Sequence, residues 1–229
     1  MRLLLIRHGQ TPANVAGLLD TAHPGPGLTE LGQRQAAEIP DALRDEPVAA
    51  IFASTLARTQ LTAAPLAAER GLDVTVLPGL HEIEAGDLEG LDDHPSIRTY
   101  LETVFAWGLG DLDPVMPGAT DGRAFFARFD ESIAEVSESM ALAEDALGAA
   151  VVVSHGAAIR VWVAGRAINV PPSFAGEHDI QNTGIVELEG SPAEGWTLIT
   201  WQGNPVGGPE LADESADDPL GETLDEAMQ

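Results

Sequence analysis

Apolar runs that end in polar residues recur along the chain and predict the strands of a buried sheet. A continuous apolar run without alternation is typical of a parallel strand that is covered on both faces. Two shorter strands are predicted near the end of the sequence. The six predicted strands are Leu3 to Arg7, Val48 to Ala53, Asp73 to Leu77, Ala149 to Val153, Ile185 to Leu188 and Trp196 to Trp201.

Segments with apolar residues at helical spacing separate these strands. Thr29 and the pair Ser54-Thr55 are N-cap candidates, because a hydroxyl oxygen accepts hydrogen bonds from the free N–H groups of a first turn. Pro40 is expected to end or kink the first of these helices. The predicted helices run from Glu30 to about Arg44, from Arg58 to Arg70, from Gly122 to Leu147 and from Ala157 to Ile168.

The alternation of strands and helices predicts an α/β fold of three layers, α/β/α, with a mostly parallel sheet. The segment of residues about 91–121 is the least regular, and we expect it to be a helical insertion. One domain is expected over residues 1–203. Residues 204–229 form a tail with eight acidic side chains and no basic one, a composition that predicts disorder. The alternative is that the tail docks on its own domain or on a neighbour.

The composition is strongly acidic. The chain carries 37 acidic residues against 11 basic ones, a formal net charge of -26, and every basic residue is an arginine. A chain of this charge is not a nucleic-acid binder. It repels phosphate esters at long range, so a phosphate site requires several arginines gathered in one place. The chain has no cysteine, which excludes disulfides, thiolate zinc sites and a cysteine nucleophile.

The N-terminal apolar run, Leu3 to Ile6, is too short for a signal peptide or a membrane span. We therefore expect a soluble cytoplasmic protein without a membrane partner. The predicted helix after His155 and the two terminal strands leave surface for a homodimer, a state that the sequence leaves open.

Two predicted strands end in a histidine that is followed by a glycine, His8-Gly9 and His155-Gly156. Ligands of open α/β sheets bind at the carboxyl ends of strands, so both histidines are expected to face one pocket. A lone histidine at such a place is more often structural, and the pair strengthens the functional interpretation. Glycine lets the backbone approach a ligand closely, and the N-terminus of the helix after His155 suits an anion.

Two arginines are expected at the same edge of the sheet. Arg7 ends the first strand, and Arg58 begins the helix that follows the second strand. The planar guanidinium pairs bidentately with phosphate oxygens, so the two side chains predict a phosphate clamp in an otherwise acidic chain. The alternative for Arg58 alone is a surface ion pair with one of the many carboxylates.

Five separated segments resemble the histidine phosphatase superfamily, which includes cofactor-dependent phosphoglycerate mutases and many small phosphatases. The resemblance spans residues 3 to about 190 and follows the order that the family has. The segments are 7–14 (RHGQTPAN), 28–36 (LTELGQRQA), 54–59 (STLART), 80–90 (LHEIEAGDLEG) and 152–156 (VVSHG).

The resemblance implies a phosphohistidine enzyme without a metal or another cofactor. In it His8 is the nucleophile, and Glu82 protonates the leaving alcohol and then activates a water. Repulsion from Glu84, Asp87 and Glu89 would favour a proton on Glu82. The remaining site residues implied are Arg7, Arg58 and His155, which are catalytic and bind phosphate, and Asn14 and Gly156, which bind phosphate.

The segment over the implied active site favours hydrolysis over mutase activity. A mutase holds a second phosphate and a carboxylate, yet only Arg98 and Arg123 are basic between residues 89 and 127. We therefore expect a small phosphorylated metabolite whose alcohol part carries little negative charge. A mutase-type phosphotransferase and a non-catalytic phosphate-binding protein stay as alternatives, although the intact set of site residues argues against the second.

The remaining histidines do not predict a metal centre. His81-Glu82 could begin a zinc-protease helix, but residue 85 is alanine where the second histidine would stand. His23, His94 and His178 match no spacing of metal ligands, and we expect them to be surface or loop residues.

Overall fold

One mixed sheet forms the centre of the protein. The computed structural model describes residues 1–142, 148–213, 216, 218–223 and 227. Within them, six strands lie in the order β3-β2-β4-β1-β5-β6, and the first four are parallel. β5 runs antiparallel to β1 and forms a hairpin with β6. The strands are β1 (Arg2–Arg7), β2 (Val48–Ala53), β3 (Val74–Val76), β4 (Ala149–Ser154), β5 (Ile185–Ser191) and β6 (Gly195–Gln202).

Helices connect the strands where helical spacing predicts them. Thr29 caps α2, and its hydroxyl accepts a hydrogen bond from the Gly32 N–H at 3.0 Å. Pro40 lies within α2, which ends two residues later at Ala42. The predicted extension of α5 over residues 143–147 lies outside the described residues. The helices are α1 (Pro12–Val15), α2 (Glu30–Ala42), α3 (Ala57–Arg70), α4 (His94–Gly108), α5 (Gly122–Leu142), α6 (Gly156–Arg166) and α7 (Phe174–Glu177), with 3-10 turns at Pro78–Leu80, Gly86–Leu88 and Pro209–Leu211.

Alternate side chains of each central strand point to opposite faces of the sheet. Leu3 and Leu5 of β1 join a core with residues of α4, α5 and α6. Leu4 and Ile6 join a second core with residues of α2 and α3. Because helices cover both faces of the sheet at its centre, β1 and β4 carry apolar residues on both sides. The predicted three-layer α/β/α fold is confirmed.

The N-cap predicted for α3 is wrong. The helix begins after Leu56, whose side chain cannot accept a hydrogen bond. Ser54 faces the neighbouring strand end instead, and its hydroxyl lies 2.7 Å from Nε2 of His155. The same hydroxyl accepts the N–H of Leu56 at 3.2 Å, just before the helix begins. The contact with His155, 101 positions away, is one that the pattern around Ser54 does not reveal.

The insertion contains α4, which lies against α6 and α7. The hydroxyl of Tyr100 in α4 donates to the carbonyl of Ile83 at 2.9 Å. The insertion therefore supports the loop that carries Glu82. No helix within the described ranges is both long and apolar enough to cross a membrane.

The tail beyond residue 203 folds back onto the domain over its described part, against the disorder that its composition predicts. Leu211 and Leu220 are 9% and 2% exposed. The side-chain amide of Gln35 donates to the Leu211 carbonyl at 2.8 Å. The two leucines supply apolar contacts that an average over an acidic segment conceals.

Candidate active site

The sheet register brings the two histidines together. Arg7 pairs with Ser154 across β1 and β4, so His8 and His155 follow side by side at the carboxyl ends of these strands. Their ring centroids are 5.2 Å apart, and the two residues are 2% and 0% exposed. The two rings are therefore neighbours at one edge of the sheet. That they share a ligand pocket stays a prediction.

The tautomer of His8 follows from its neighbour. Nδ1 of His8 lies 2.8 Å from the carbonyl oxygen of Gly9. A carbonyl oxygen only accepts, so Nδ1 carries the hydrogen and Nε2 keeps a free lone pair. Burial, reinforced by the positive charges of Arg58 and Arg7, holds the pKa of His8 well below its ordinary value. The ring is therefore neutral and its Nε2 can act as a nucleophile.

His155 is held by hydroxyl groups on the adjoining strand end. Its Nε2 contacts the Ser54 hydroxyl, which lies 3.0 Å from the hydroxyl of Thr59. Burial is the largest cause that lowers the pKa of His155 well below its usual range, and the charge of Arg58 adds to it. Like His8, it is a neutral ring.

Two buried guanidiniums flank the histidines, and both are 1% exposed. Arg58 donates to the carboxylate and the carbonyl of Asp20 at 3.0 and 2.9 Å. Arg7 donates to the carbonyl of Ile180 at 2.8 Å and to the carboxylate of Asp218 at 2.5 Å. Arg58 thus forms an ion pair with Asp20, in which the arginine side chain is 1% exposed and the aspartate side chain 21%. The phosphate clamp stays a prediction beside this ion pair.

Several buried nitrogen atoms of this cluster lack a partner among the described residues, namely Nε of Arg7, Nε of Arg58 and Nδ1 of His155. The two arginine nitrogens are donors, and Nδ1 of His155 is a donor when it carries the ring hydrogen. An unpartnered buried polar group costs about 1–3 kcal/mol, so unpartnered groups are rare in native structures. An anion with several oxygen atoms would satisfy such donors together. The chemistry of the cluster therefore fits a phosphoryl group.

Asn14 is oriented by the short helix α1. Its Oδ1 accepts the N–H of Thr11 at 2.9 Å in a capping box, so its Nδ2 is left as a donor. That Nδ2 donates to Asp218 at 3.1 Å. The local turn thus fixes Asn14 as a hydrogen-bond donor, as anion binding requires.

Glu82 lies at the N-terminus of α6 and is fully buried. One carboxyl oxygen accepts the N–H groups of Ile83 and Ala158, both at 2.8 Å, and the other accepts that of Ala157 at 3.2 Å. Burial raises the pKa of Glu82, while these N–H groups and Arg58 partly oppose the rise. The raised pKa favours a carboxyl that keeps its proton.

The reason for that proton differs from the predicted one. Repulsion from neighbouring carboxylates is not among the main causes, because desolvation is the largest of them. Glu84 is half-exposed, with 52% of its side chain accessible. Glu89 is turned away and accepts the N–H of Thr21 at 2.9 Å. Charges that are solvated or paired elsewhere have little effect on Glu82.

Gly156 lies against the carbonyl of Leu220 in the tail and against the side chain of Arg7. The predicted anion-binding N–H groups of α6 are partly used, since Ala157 and Ala158 bind Glu82. A Cβ on Gly156 would clash with the carbonyl of Leu220 and would come within 3.0 Å of Nε of Arg7. Glycine is therefore required here by close approach of the tail and of Arg7.

A family model of the histidine phosphatase superfamily (branch 1) matches residues 3–204. The chain belongs to this superfamily. The PE-PGRS family protein PE_PGRS11 of Mycobacterium tuberculosis is 43% identical over 88% of this chain, which spans only 36% of that protein. The probable phosphoglycerate mutase GpmB of Cronobacter sakazakii is 31% identical over 87% of this chain and 92% of its own length.

A solved structure of mycobacterial glucosyl-3-phosphoglycerate phosphatase, complexed with VO3, is also similar. It is 28% identical with a TM-score of 0.72, and the match covers 89% of this chain and 99% of that one. Members of the superfamily thus bear the names of phosphatases and of mutases, which supports an enzyme.

The remaining histidines of this chain lie outside the pair formed by His8 and His155. His23 is exposed and contacts the Thr55 hydroxyl, and its ring lies 5.9 Å from that of His81. His178 stacks on Phe174 at 3.8 Å between centroids. Within the described part of the chain, no group of three or more histidine or acidic side chains is arranged to hold a metal ion.

Sequence reasoning missed several residues that contact the site residues or the loop of Glu82. They are Asp20, which pairs with Arg58; Ser54, which contacts His155; Arg128 and Arg160, which bind backbone carbonyls; and Asp218, which contacts Arg7 and Asn14. Because the chain has only 11 basic residues, Arg128 and Arg160 could have been singled out from the sequence as candidates for a structural or functional role. Their location on α5 and α6 did not reveal which loops they would reach.

Arg128 fixes the loop that carries the candidate acid. Its guanidinium donates to the carbonyls of Gly79, His81 and Glu82 at 2.6, 2.8 and 2.8 Å. Arg128→Leu removes the donor from all three acceptors. We expect a loss of about 2–4 kcal/mol in the free energy of unfolding, measured by urea denaturation.

Arg123→Leu is the matched control on the same helix. Arg123 is 61% exposed and pairs with Asp113 at the surface. Its replacement should leave the free energy of unfolding nearly unchanged, because an exposed ion pair contributes little to stability. Equal losses in the two variants would contradict a structural role of Arg128 in this loop.

Proposed function

We propose that this chain is a phosphomonoester hydrolase that forms a phosphohistidine on Nε2 of His8 without a metal ion. The observation that carries the proposal is a neutral His8 whose free lone pair lies within a cluster of buried donors. Arg7 and Arg58 supply the positive charge that stabilises a transferring phosphoryl group. His155 and Asn14 supply further hydrogen bonds to its oxygen atoms.

In the first step, Nε2 of His8 attacks phosphorus and the bond from phosphorus to the ester oxygen breaks. The Glu82 carboxyl gives its proton to the departing alcohol, which leaves neutral. His8 becomes a cationic phosphoramidate whose Nδ1 hydrogen still donates to the Gly9 carbonyl. The raised pKa of Glu82 supports this role, because a donor must hold its proton before the reaction.

In the second step, a water attacks the phosphorus and the N–P bond breaks. The Glu82 carboxylate takes the proton of that water, which restores the carboxyl. The electron pair returns to Nε2, so His8 is again neutral. Inorganic phosphate leaves and both side chains are back in their starting states.

Hydrolysis is favoured over a mutase reaction by the surface of the insertion. Arg98 and Arg123 are both exposed, and Arg123 pairs with Asp113 at 2.6 Å. A second phosphate and a carboxylate would need buried positive charge there. The proposed substrate is therefore a small phosphorylated metabolite whose alcohol part carries little negative charge.

A panel of phosphomonoesters, assayed with EDTA throughout, tests this proposal. We expect phosphate release that is unchanged by EDTA, because the positive charge comes from arginine rather than from a metal. The panel includes 3-phosphoglycerate with 2,3-bisphosphoglycerate, for which we expect no isomerisation and little release of phosphate, because both carry further negative charge.

Each other outcome is informative. Loss of activity in EDTA that added metal restores would contradict the metal-independent mechanism. Isomerisation of phosphoglycerate without net release would replace hydrolysis with the mutase reaction. A strong preference for esters with a second anionic group would overturn the proposed substrate class.

A further inference from the structure

The described end of the tail crosses the candidate pocket. The Ile180 N–H donates to the Gly221 carbonyl at 2.9 Å. Arg160, which is fully buried, donates to the Leu220 carbonyl at 2.9 Å and also to that of Glu222. These contacts join the tail to the segment after α7 and to α6, the helix that begins after His155.

The tail carries one carboxylate into the pocket. Oδ2 of Asp218 lies 2.5 Å from a guanidinium nitrogen of Arg7, and its Oδ1 lies 3.1 Å from Nδ2 of Asn14. The Asp218 side chain is 13% exposed. A carboxylate thus engages two of the side chains that the proposed function assigns to the phosphoryl group.

The backbone of the tail lies directly against the guanidinium of Arg7. A Cβ on Gly221 would clash with a terminal nitrogen of Arg7, and a Cβ on Gly156 would clash with the Leu220 carbonyl. Two glycines on opposite sides of the contact are therefore needed for the tail to lie this close. The tail therefore lies closer to Arg7 than the burial of Leu211 and Leu220 alone would require.

We propose that residues 218–223 are a tethered competitor of the phosphorylated substrate, with the Asp218 carboxylate held where phosphoryl oxygens bind. The inference rests on the proposed function, since that function gives Arg7 and Asn14 their ligand. A carboxylate presents oxygens to guanidinium and amide donors as a phosphate does. Substrate binding requires Asp218 to leave.

A phosphoryl group can replace the Asp218 carboxylate without leaving the charge of Arg7 uncompensated. Removing Asp218 alone would leave a buried guanidinium without a carboxylate, which is strongly unfavourable. A phosphoryl group compensates Arg7 in its place and brings more charge and a further oxygen. Donors remain for that oxygen, because Nε of Arg7 and Nε of Arg58 have no partner among the described residues. The tail is thus displaceable by its proper ligand.

The cost of displacement appears in the apparent affinity. A ligand that binds only the open form is weakened by the fraction of molecules that are open. If the tail is closed in about nine of ten molecules, the apparent affinity for phosphate falls about tenfold. Tail residues thereby set the substrate concentration at which the enzyme works.

The full-length chain with Asp218→Ala tests the inference without removing the buried leucines. Titration calorimetry would measure the Kd for inorganic phosphate, and steady-state kinetics would measure KM for the best ester of the panel. We expect Kd and KM to fall about tenfold with kcat little changed. Glu210→Ala is the control, because Glu210 is an exposed acid of the same tail, and it should leave both constants unchanged.

Other results would overturn the inference. An unchanged Kd in Asp218→Ala would show that the carboxylate does not compete, and a weaker Kd or a large loss of kcat would make Asp218 part of the working site. Failure of the proposed function is distinguishable from these outcomes. It would appear as no ester hydrolysis by any variant, whereas the phosphate titration still reports on the tail.

Hydrogen exchange supplies a second measurement on the wild-type chain. The N–H groups of Gly221 and Glu222 donate to the Asp218 carbonyl at 3.0 and 3.2 Å. Saturating inorganic phosphate should speed exchange of these amides if it displaces the tail. Unchanged or slower exchange in the presence of phosphate would overturn the inference.

Discussion

His8→Ala is expected to lower kcat/KM for every phosphomonoester by about 10^4-fold or more, because the proposed function makes His8 the side chain that forms the covalent intermediate. The measurement is steady-state phosphate release, together with rapid quenching of enzyme mixed with radiolabelled ester. Wild type should retain label that is lost in acid and stable in base, as a phosphoramidate is.

The control for His8→Ala is His94→Ala. His94 is an exposed residue at the first turn of α4, so its loss should leave kcat/KM unchanged. A His8→Ala protein that still binds inorganic phosphate would locate the defect in the chemical step. Label that persists in His8→Ala, or substantial turnover without His8, would contradict the phosphohistidine mechanism.

The central sheet and the position of both histidines could be predicted from sequence for one physical reason. Strands buried on both faces must be apolar throughout, so β1 and β4 stand out as runs that end abruptly at polar residues. In a parallel pair these ends meet at one edge, which places His8 beside His155 once both strands are recognised. The same reasoning correctly placed Arg58 after β2.

Apolar patterns along the sequence do not predict the contacts that loops and helices make with one another. Arg128 lies on α5 at a spacing that suits an amphipathic helix, and nothing in that spacing names the carbonyls of the Glu82 loop. Burial of Glu82 likewise depends on how α6 starts, since Ala157 and Ala158 supply its donors. The sequence analysis attributed the proton on Glu82 to repulsion between carboxylates. That reason was wrong, because the sequence does not show that Glu84 is half-exposed.

The tail shows the limit of composition as a guide. Charge averaged over an acidic segment predicts disorder, because such a segment buries too little apolar surface. Leu211 and Leu220 escape that average, and the carbonyls that Gln35 and Arg160 bind are present in any sequence. Docking thus depends on donors elsewhere in the domain, which composition of the tail does not describe.

Glu82→Gln is expected to lower kcat/KM about 10^2- to 10^4-fold for alkyl phosphates, because no proton is available for a strongly basic leaving group. The amide oxygen can still accept the N–H groups of Ile83 and Ala158. The amide nitrogen is a donor and cannot accept the N–H of Ala157, so one of the three hydrogen bonds is lost. With p-nitrophenyl phosphate, whose leaving group needs no proton, the loss in the first step should be much smaller. Comparing the two esters in one variant separates proton donation from damage to the pocket.

The dependence of kcat/KM on pH tests whether Glu82 acts as the acid. Burial raises the pKa of Glu82, and only the protonated carboxyl starts the first step. Wild-type kcat/KM on alkyl phosphates should therefore be highest below that pKa and should fall as the pH rises through it. Glu82→Gln should lose this alkaline decline, whereas Glu84→Gln, a change at a half-exposed carboxylate two residues away, should keep it. An equal loss on both esters, with the decline retained, would show that Glu82 is not the acid.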